Sequence, residues 1–192
     1  DEKDANKNPT GRRVTTNDYS SADYYYVNKS SLPKVYGGFN TSLSWKGFDL
    51  SAIFAYSIGG YIYNRDITMI LHNGSLEGRD WSTEILKRWT PDNRYTDVPA
   101  LSTTSNNWNS ASTRFLQNNS YMRLKNLTLS YNLPKQWISK LSLSSVQVYV
   151  QGDNLFTIHK NQGLDPEQGI TGITYYRYPA MRTISGGINI AF

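Results

Sequence analysis

Asp165 and Glu167 flank Pro166 in a glycine-rich stretch, and paired carboxylates are the groups that perform acid and base work on glycosidic bonds. An Asp-Pro step more commonly opens a turn, so neither catalysis nor an enzyme is the expectation here. His72 and His159 stand without partners at metal-ligand spacing and are expected to be solvated. The absence of Cys excludes thiolate nucleophiles, thiolate metal sites and disulfides together. Gly37-Gly38, Gly59-Gly60 and Gly186-Gly187 lack the strand–GxGxxG–helix context of a nucleotide site and read as strand bends or points of close approach. No metal and no cofactor is expected. Recognition chemistry remains. Tyr61, Tyr63, Trp81, Trp89, Trp108, Tyr175, Tyr176 and Tyr178 lie outside the periodic stretches. Such aromatics can stack on sugar faces or anchor a partner protein, or they can pack against one another.

The elements that position these loops alternate with period two. From Val35 to Trp45 the odd positions carry Val35, Phe39, Leu43 and Trp45, and the even ones Asn40, Ser42 and Ser44. After Lys46-Gly47 the parity reverses, so Phe48, Leu50, Phe54 and Ile58 are apolar. A two-residue hairpin loop at Lys46-Gly47 pairs Trp45 with Phe48 and Phe39 with Phe54, and that register alone puts both apolar sets on one face. Leu127 to Leu133, Val146 to Ile158 and Ile184 to Phe192 alternate in the same way. Arg123 and Lys125 share the parity of Leu127, which calls for a bulge upstream of that residue or for a strand that rises there beyond the apolar zone. Residues 1–34 read as a polar lead-in loop; residues 35–192 carry the strands.

Connections alternate in length: Lys46-Gly47, then about Gly59 to Asn119, then Pro134 to Ser145 with a short helix around Trp137 and Leu141, then His159 to Arg182. Short and long turns between strands of about ten residues are the layout of a transmembrane β-barrel. A strand of about 11 residues at a rise of about 3.3 Å, tilted about 40°, spans roughly 28 Å, near the apolar height of such a barrel. Trp45, Phe48, Tyr131, Trp137 and Phe192 sit beside short turns or the terminus, as an interfacial aromatic girdle does. The polar face is expected to line a wet interior through Asn40, Ser42, Asp49, Thr128, Gln147, Tyr149, Gln151, Asp153 and Asn189. A soluble carbohydrate-binding β-sandwich would show the same alternation, but its outer face would normally carry Lys and Glu.

The chain has 192 residues, with 20 Lys and Arg against 15 Asp and Glu. The cations are scattered rather than gathered on one face, so no nucleic-acid partner is expected. No apolar run approaches the roughly 20 residues of a spanning helix, and the opening Asp1-Glu2-Lys3-Asp4 has no signal-peptide character. About five strands cannot close a wide barrel. Unpaired edge groups in lipid cost several kcal/mol each, on the order of tens of kcal/mol for two edges. The chain is therefore expected to be the last portion of a larger barrel.

Several motifs together resemble one family: Leu32-Pro33-Lys34, Gly37 to Asn40, Trp45-Lys46-Gly47-Phe48-Asp49-Leu50, Arg88-Trp89-Thr90-Pro91, Thr96-Asp97-Val98-Pro99, Ser120 to Pro134, Val148 to Thr157, and Gly163 to Glu167. From Leu32 to Phe192 the sequence resembles the C-terminal end of a SusC/RagA-type TonB-dependent transporter of Bacteroidetes outer membranes. Ser185, Gly187, Ile190 and Phe192 resemble the C-terminal signal by which barrel-assembly machinery recognises outer-membrane proteins. The resemblance implies an all-β fold: the last five or so antiparallel strands of an about 22-stranded barrel with long extracellular loops. It implies as partners the rest of the barrel with its plug domain, a SusD-type surface lipoprotein acting as a lid, TonB through an N-terminal part not present here, and the lipid membrane. The function implied is import of nutrient oligomers, glycans or peptides; an outer-membrane adhesin is the alternative within the same fold.

Overall fold

The computed structural model describes residues 3–192 except Arg13, Thr15, Asn17, Ser75, Glu77, Thr103, Ser105, Asn106 and Tyr175. Its strands are β1 (Val35–Trp45), β2 (Phe48–Ile58), β3 (Tyr61–Tyr63), β4 (Leu116–Asn118), β5 (Tyr121–Asn132), β6 (Ser145–His159) and β7 (Thr183–Ala191), with helices α1 (Arg65–Ile70) and α2 (Lys135–Ile138). Five strands form one antiparallel sheet in the order β1-β2-β5-β6-β7, and β3 and β4 make a separate two-stranded ribbon. The chain divides into two compact units. One holds the large sheet (Ser30–Ile62, Gln117–Gly172, Tyr176–Phe192); the other holds Asp1–Lys29, Tyr63–Leu116 and Ile173–Tyr175.

The hairpin register follows from its turn. Lys46 (φ 47°) and Gly47 (φ 88°) both take left-handed backbone, the conformation whose twist matches the flanking strands. Trp45 therefore pairs with Phe48, Leu43 with Leu50 and Phe39 with Phe54. On the apolar face the rows run across the whole sheet: Trp45, Phe48, Tyr131, Val148 and Ile188 in one, Leu43, Leu50, Leu129 and Val150 in the next. Cross-strand rings stack within these rows, Phe39 on Phe54 at 4.7 Å and Phe48 on Tyr131 at 4.5 Å. No second layer of described residues covers this face: Leu43 is 66%, Ile188 62% and Ile184 72% exposed. A sandwich would have buried them.

The irregularity at β5 lies where the cations broke the alternation. Leu124 pairs with Phe54 and Phe156, whereas Asn126 pairs with Ile53 and Asp153, so Lys125 is an extra residue on β5, and Asn154 and Leu155 are extra on β6. Asn154 accommodates the bulge with φ 52°, a region that Asn tolerates better than most residues. The Leu155 side chain lies over Gly152, where a Cβ would come within 2.6 Å of a Leu155 methyl carbon. The bulge shifts the phase by one residue. Met122 and Leu124 join the apolar face, and Arg123 turns to the polar one beside Ala55 and Thr157.

The short connection after β5 holds α2 and a following 3-10 turn, with Ile138 buried and Trp137 64% exposed. Glu84 and Lys87 fall in a 3-10 segment, Thr83–Lys87, capped by Ser82 and bridged by Lys87 to Glu84 at 2.7 Å. An apolar face meeting hydrocarbon makes Leu127→Lys cost about 2–4 kcal/mol in the full-length barrel folded into phospholipid vesicles, against about 1 kcal/mol or less for Ser42→Lys. Urea titration of both variants checks this, and equal costs would overturn the assignment of faces.

Candidate functional site

The polar face satisfies itself. Asn132 Nδ2 donates to Asp49 Oδ2 at 2.7 Å, and Ser44 donates to the same carboxylate. Asn126 Nδ2 donates to Asp153 Oδ1 at 2.8 Å, and Thr128 Oγ1 to Asn126 Oδ1 at 2.9 Å. Gln147 links Ser130 to Asn189, at 3.3 and 3.1 Å, and Gln151 Nε2 donates to Asp153 at 3.3 Å. The residues expected to line an interior thus share one face and bond one another laterally, while Asn40 and Ser42 on that face are exposed. Tyr149 lies flat across Gly187 on the adjacent strand; a Cβ at Gly187 would stand 2.6 Å from the Tyr149 Oη. Gly187 is therefore a packing site, whatever else it signals. Ser185 pairs with Gln151 and Ile190 with Val146, and Phe192 is 93% exposed.

At the end of the sheet with the long connections, the polar face carries a cluster of charges. Arg123 is 3% exposed and fans its donors in three directions. Nε reaches Thr157 Oγ1 at 2.9 Å, Nη1 reaches Glu167 Oε2 at 2.9 Å, and Nη2 reaches Asp165 Oδ1 at 2.5 Å. Lys125, from the bulge itself, adds a second cation to Glu167 at 2.5 Å. Asp165 also accepts the backbone N–H of Glu167 at 2.9 Å and of Ala180 at 2.6 Å. Burial alone would raise the Asp165 carboxyl. The two backbone N–H groups and the Arg123 guanidinium outweigh it and hold the carboxyl below its ordinary value of 3.8. Both carboxylates that invited an acid–base reading are consumed by this clamp. Among the described residues no cluster of three metal-ligating side chains exists.

The clamp fixes the β6–β7 connection against the sheet, and amides extend the attachment. Asn119 Nδ2 donates to the Pro166 carbonyl at 2.8 Å and receives Asn161 Nδ2 at 3.0 Å, while Ser31 Oγ donates to the Ile170 carbonyl at 2.8 Å. Arg123 was visible in the sequence as the residue that broke the alternation; its carboxylate partners, 42 and 44 positions away, were not linked to it by any local pattern.

The loop aromatics divide by role. In the second unit, Trp108 Nε1 donates to the Leu71 carbonyl at 2.5 Å and lies under the Arg114 guanidinium at 3.9 Å. Tyr63 meets Phe115 edge-on at 6.1 Å, and burial raises its phenol above the ordinary range. Trp81 Nε1 donates to His72 Nδ1 at 3.0 Å. His72 corrects the expectation of a solvated side chain: it is 1% exposed, and its Nδ1 accepts from the Gly74 and Leu76 backbone N–H groups and from Trp81 Nε1. His159 is exposed. Trp89 is 44%, Tyr176 61% and Tyr178 97% exposed, and Tyr61 is half-buried. Tyr175 lies outside the described residues. Tyr95, fully exposed, belongs with the exposed group although its sequence context gave no reason to select it.

Comparison with known proteins gives one consistent set. No protein-family model matches the chain. The TonB-dependent receptor P3 of Formosa agariphila is 34% identical over 166 residues, covering 81% of this chain and 16% of that protein. The TonB-dependent receptor SusC of Bacteroides thetaiotaomicron is 28% identical over 168 residues, covering 87% and 16%. The RagAB peptide importer in its closed-closed state superposes with a TM-score of 0.80 at 35% identity, over 100% of this chain and 20% of that one. The chain thus spans about a sixth to a fifth of the proteins it matches.

Two outcomes test the site. Arg123→Ala leaves two carboxylates facing the sheet without their guanidinium, and removing one partner of a buried pair costs about 3–5 kcal/mol. In the full-length barrel, residues 160–172 are expected to become cleavable by added protease, with Arg123→Lys intermediate because an ammonium cannot fork to two carboxylates. Since the folded Asp165 carboxyl lies below its unfolded value, the clamp's contribution is complete at neutral pH and lost as pH falls through that lowered value; wild-type protection should persist at pH 5. Protection unaffected by Arg123→Ala would refute the clamp. Separately, Gly187→Ala should reduce heat-modifiable barrel by an overpacking cost of about 1–3 kcal/mol, and Tyr149→Ala should restore it. A defect indifferent to residue 149 would assign Gly187 to signalling alone.

Proposed function

We propose that this chain, a wall segment of the outer-membrane barrel of a SusC/RagA-type TonB-dependent receptor, takes part in TonB-dependent import of nutrient oligomers. The observation that carries the reading is the two-faced sheet: one face an uncovered apolar surface fit for hydrocarbon, the other a hydrogen-bonded polar surface fit for a wet interior. It is a transport component and not an enzyme. The relatives named above are receptors and an importer, and the carboxylates near the polar face hold a loop.

In this reading the Lys46-Gly47 turn and α2 face the periplasm, and the long connections face outward. Residues 1–34 belong to an outer loop, and residues 35–192 to the C-terminal part of the barrel. The remaining strands and a plug domain complete the wall and fill its lumen, a SusD-type lipoprotein closes over the outer loops, and TonB acts on a part of the receptor outside this chain. Barrel-assembly machinery inserts it, with Ser185, Gly187, Ile190 and Phe192 as its signal. The exposed loop aromatics Trp89, Tyr176 and Tyr178 are the contacts for solute or lid, and a neutral, self-satisfied wall lets a hydrated solute pass without trapping it.

The test uses the full-length receptor in cells lacking the chromosomal copy. Uptake of the nutrient oligomer is expected to require TonB. Deleting residues 172–178 is expected to lower either uptake or lid affinity by about tenfold, equivalent to about 1.4 kcal/mol. Uptake that survives loss of TonB would overturn the importer reading; a deletion without effect on both quantities would remove this loop from it.

A further inference from the structure

The two ends of the large sheet treat charge differently. At the end with the long connections, Arg123 and Lys125 pair with Asp165 and Glu167. At the end with the short turns, the charged side chains are Lys46 in the β1–β2 turn, Asp49 on β2, and Lys135 and Lys140 in the β5–β6 connection. Asp49 faces the polar side, where Ser44 and Asn132 donate to its carboxylate. The three lysines are exposed, and among the described residues none of them has a carboxylate partner. This end therefore presents cations whose counter-charge must come from outside the sheet.

The backbone brings the two connections to one rim. The Asn132 N–H donates to the Gly47 carbonyl at 2.8 Å, so the turn that carries Lys46 abuts the strand end that leads to Lys135. The fit there is close: a Cβ at Gly47 would stand 3.1 Å from the Asn132 carbonyl oxygen and 3.2 Å from a Tyr131 ring carbon. The β5–β6 connection is fixed in turn by the Leu133 N–H, which donates to the Val146 carbonyl at 2.9 Å, and by the buried Ile138. Lys46, Lys135 and Lys140 are thus mounted on anchored backbone, which removes an ordering cost from binding.

What lies beside the lysines is apolar. Trp45 opens the row Trp45–Phe48–Tyr131–Val148–Ile188 on the uncovered face and is 63% exposed, and Trp137 in the neighbouring connection is 64% exposed. The Lys46 ammonium lies 4.8 Å from the centre of the Trp45 ring, so its charge sits beside the apolar face and not over the polar one. Indole rings settle at the headgroup level of a membrane, and a lysine stem lies along apolar surface while its ammonium reaches the headgroups. A soluble anion could meet any exposed lysine; an anion that also meets indole and the edge of the apolar rows is one carried on hydrocarbon chains. Lysines placed at that depth attract anionic headgroups, whereas a zwitterionic headgroup brings its own cation. We propose that Lys46, Lys135 and Lys140, with Trp45 and Trp137, form a binding site for an anionic phospholipid of the phosphatidylglycerol type in the periplasmic leaflet. The proposal rests on the barrel orientation given above and adds a lipid partner to it.

Native mass spectrometry of the full-length receptor in non-ionic detergent tests it, with equimolar dioleoylphosphatidylglycerol and dioleoylphosphatidylcholine as probes. The receptor is expected to retain phosphatidylglycerol in preference by about tenfold or more, since each lysine near an anionic headgroup is worth about fivefold. Lys46→Gln should lower the preference by about fivefold, and combining it with Lys135→Gln and Lys140→Gln should abolish it. Lys46→Arg should keep it. Heat-modifiability of the barrel should stay unchanged throughout, and the single variant keeps the test decisive where the triple one disturbs assembly. A preference that survives the triple variant overturns the site. An equal loss from Lys34→Gln, at the opposite end of the sheet, would make the preference a matter of overall charge and overturns it too. Displacement of the lipid by glycerol 1-phosphate, a headgroup without chains, would remove the lipid from the proposal. Labelling of Gln136→Cys separates this from the broader reading. Reaction only after the outer membrane is permeabilised supports the orientation, and reaction in intact cells overturns the orientation and the site together. Indifference to phosphatidylglycerol with TonB-dependent uptake intact sinks the site and leaves the importer standing.

Discussion

Hydrocarbon offers no hydrogen bonds, so a backbone that crosses it must satisfy each N–H and C=O within a ladder. Every other feature of the large sheet follows from that restriction. The five strands pair in unbroken antiparallel succession, and the side chains above the ladder then need only suit two different solvents. Rows such as Leu43–Leu50–Leu129–Val150 meet one solvent, and rows such as Ser42–Ser51–Thr128–Gln151 the other. The outer edges of β1 and β7 are unpaired within this sheet, and the same restriction requires strands from the rest of the barrel on both sides. The sheet is one sector of a wall.

That economy explains what could be read from the residues alone. Period-two alternation is a local signal, and Lys46-Gly47 fixes the first register through two adjacent dihedral choices, so β1 and β2 were legible to the residue. The irregularity in β5 was legible, because Arg123 and Lys125 share the parity of Leu127, but a strand rising beyond the apolar zone would have met it equally well, and the register decides for a bulge. What Arg123 touches was not legible. Its partners Asp165 and Glu167 sit in a loop whose path is set by long-range contacts with Asn119, Asn161 and Ser31, and no spacing rule links positions so distant. His72 was misread for a related reason. A lone histidine without partners at metal-ligand spacing looks solvated, and the approach of Trp81 with the Gly74 and Leu76 N–H groups makes its ring nitrogen a buried acceptor.

The polar face also shows why most of its residue types are neutral. A wall lined with free charges would hold counterions or a charged solute, and each charge would need a partner when a plug or loop came near. Amides and hydroxyls bond laterally instead, as Asn132 does to Asp49 and Asn189 to Gln147. The face thus satisfies most of its own hydrogen-bonding groups. Charge gathers around Arg123, where three acceptors receive a single guanidinium; the Asp49 and Asp153 carboxylates elsewhere on the face each accept from amides or a hydroxyl.

Placing that one charged cluster at a bulge has a structural logic. A regular strand would aim Arg123 into the apolar face, where an unpaired guanidinium is intolerable; the inserted Lys125 rotates it inward and contributes a second cation from the insertion itself. The loop that answers with Asp165 and Glu167 is thereby tied to the strand at the residue where the ladder is weakest. Three ion pairs, Arg123 to Asp165, Arg123 to Glu167 and Lys125 to Glu167, together with the Asn119 and Ser31 bonds to its carbonyls, fasten this loop to the wall.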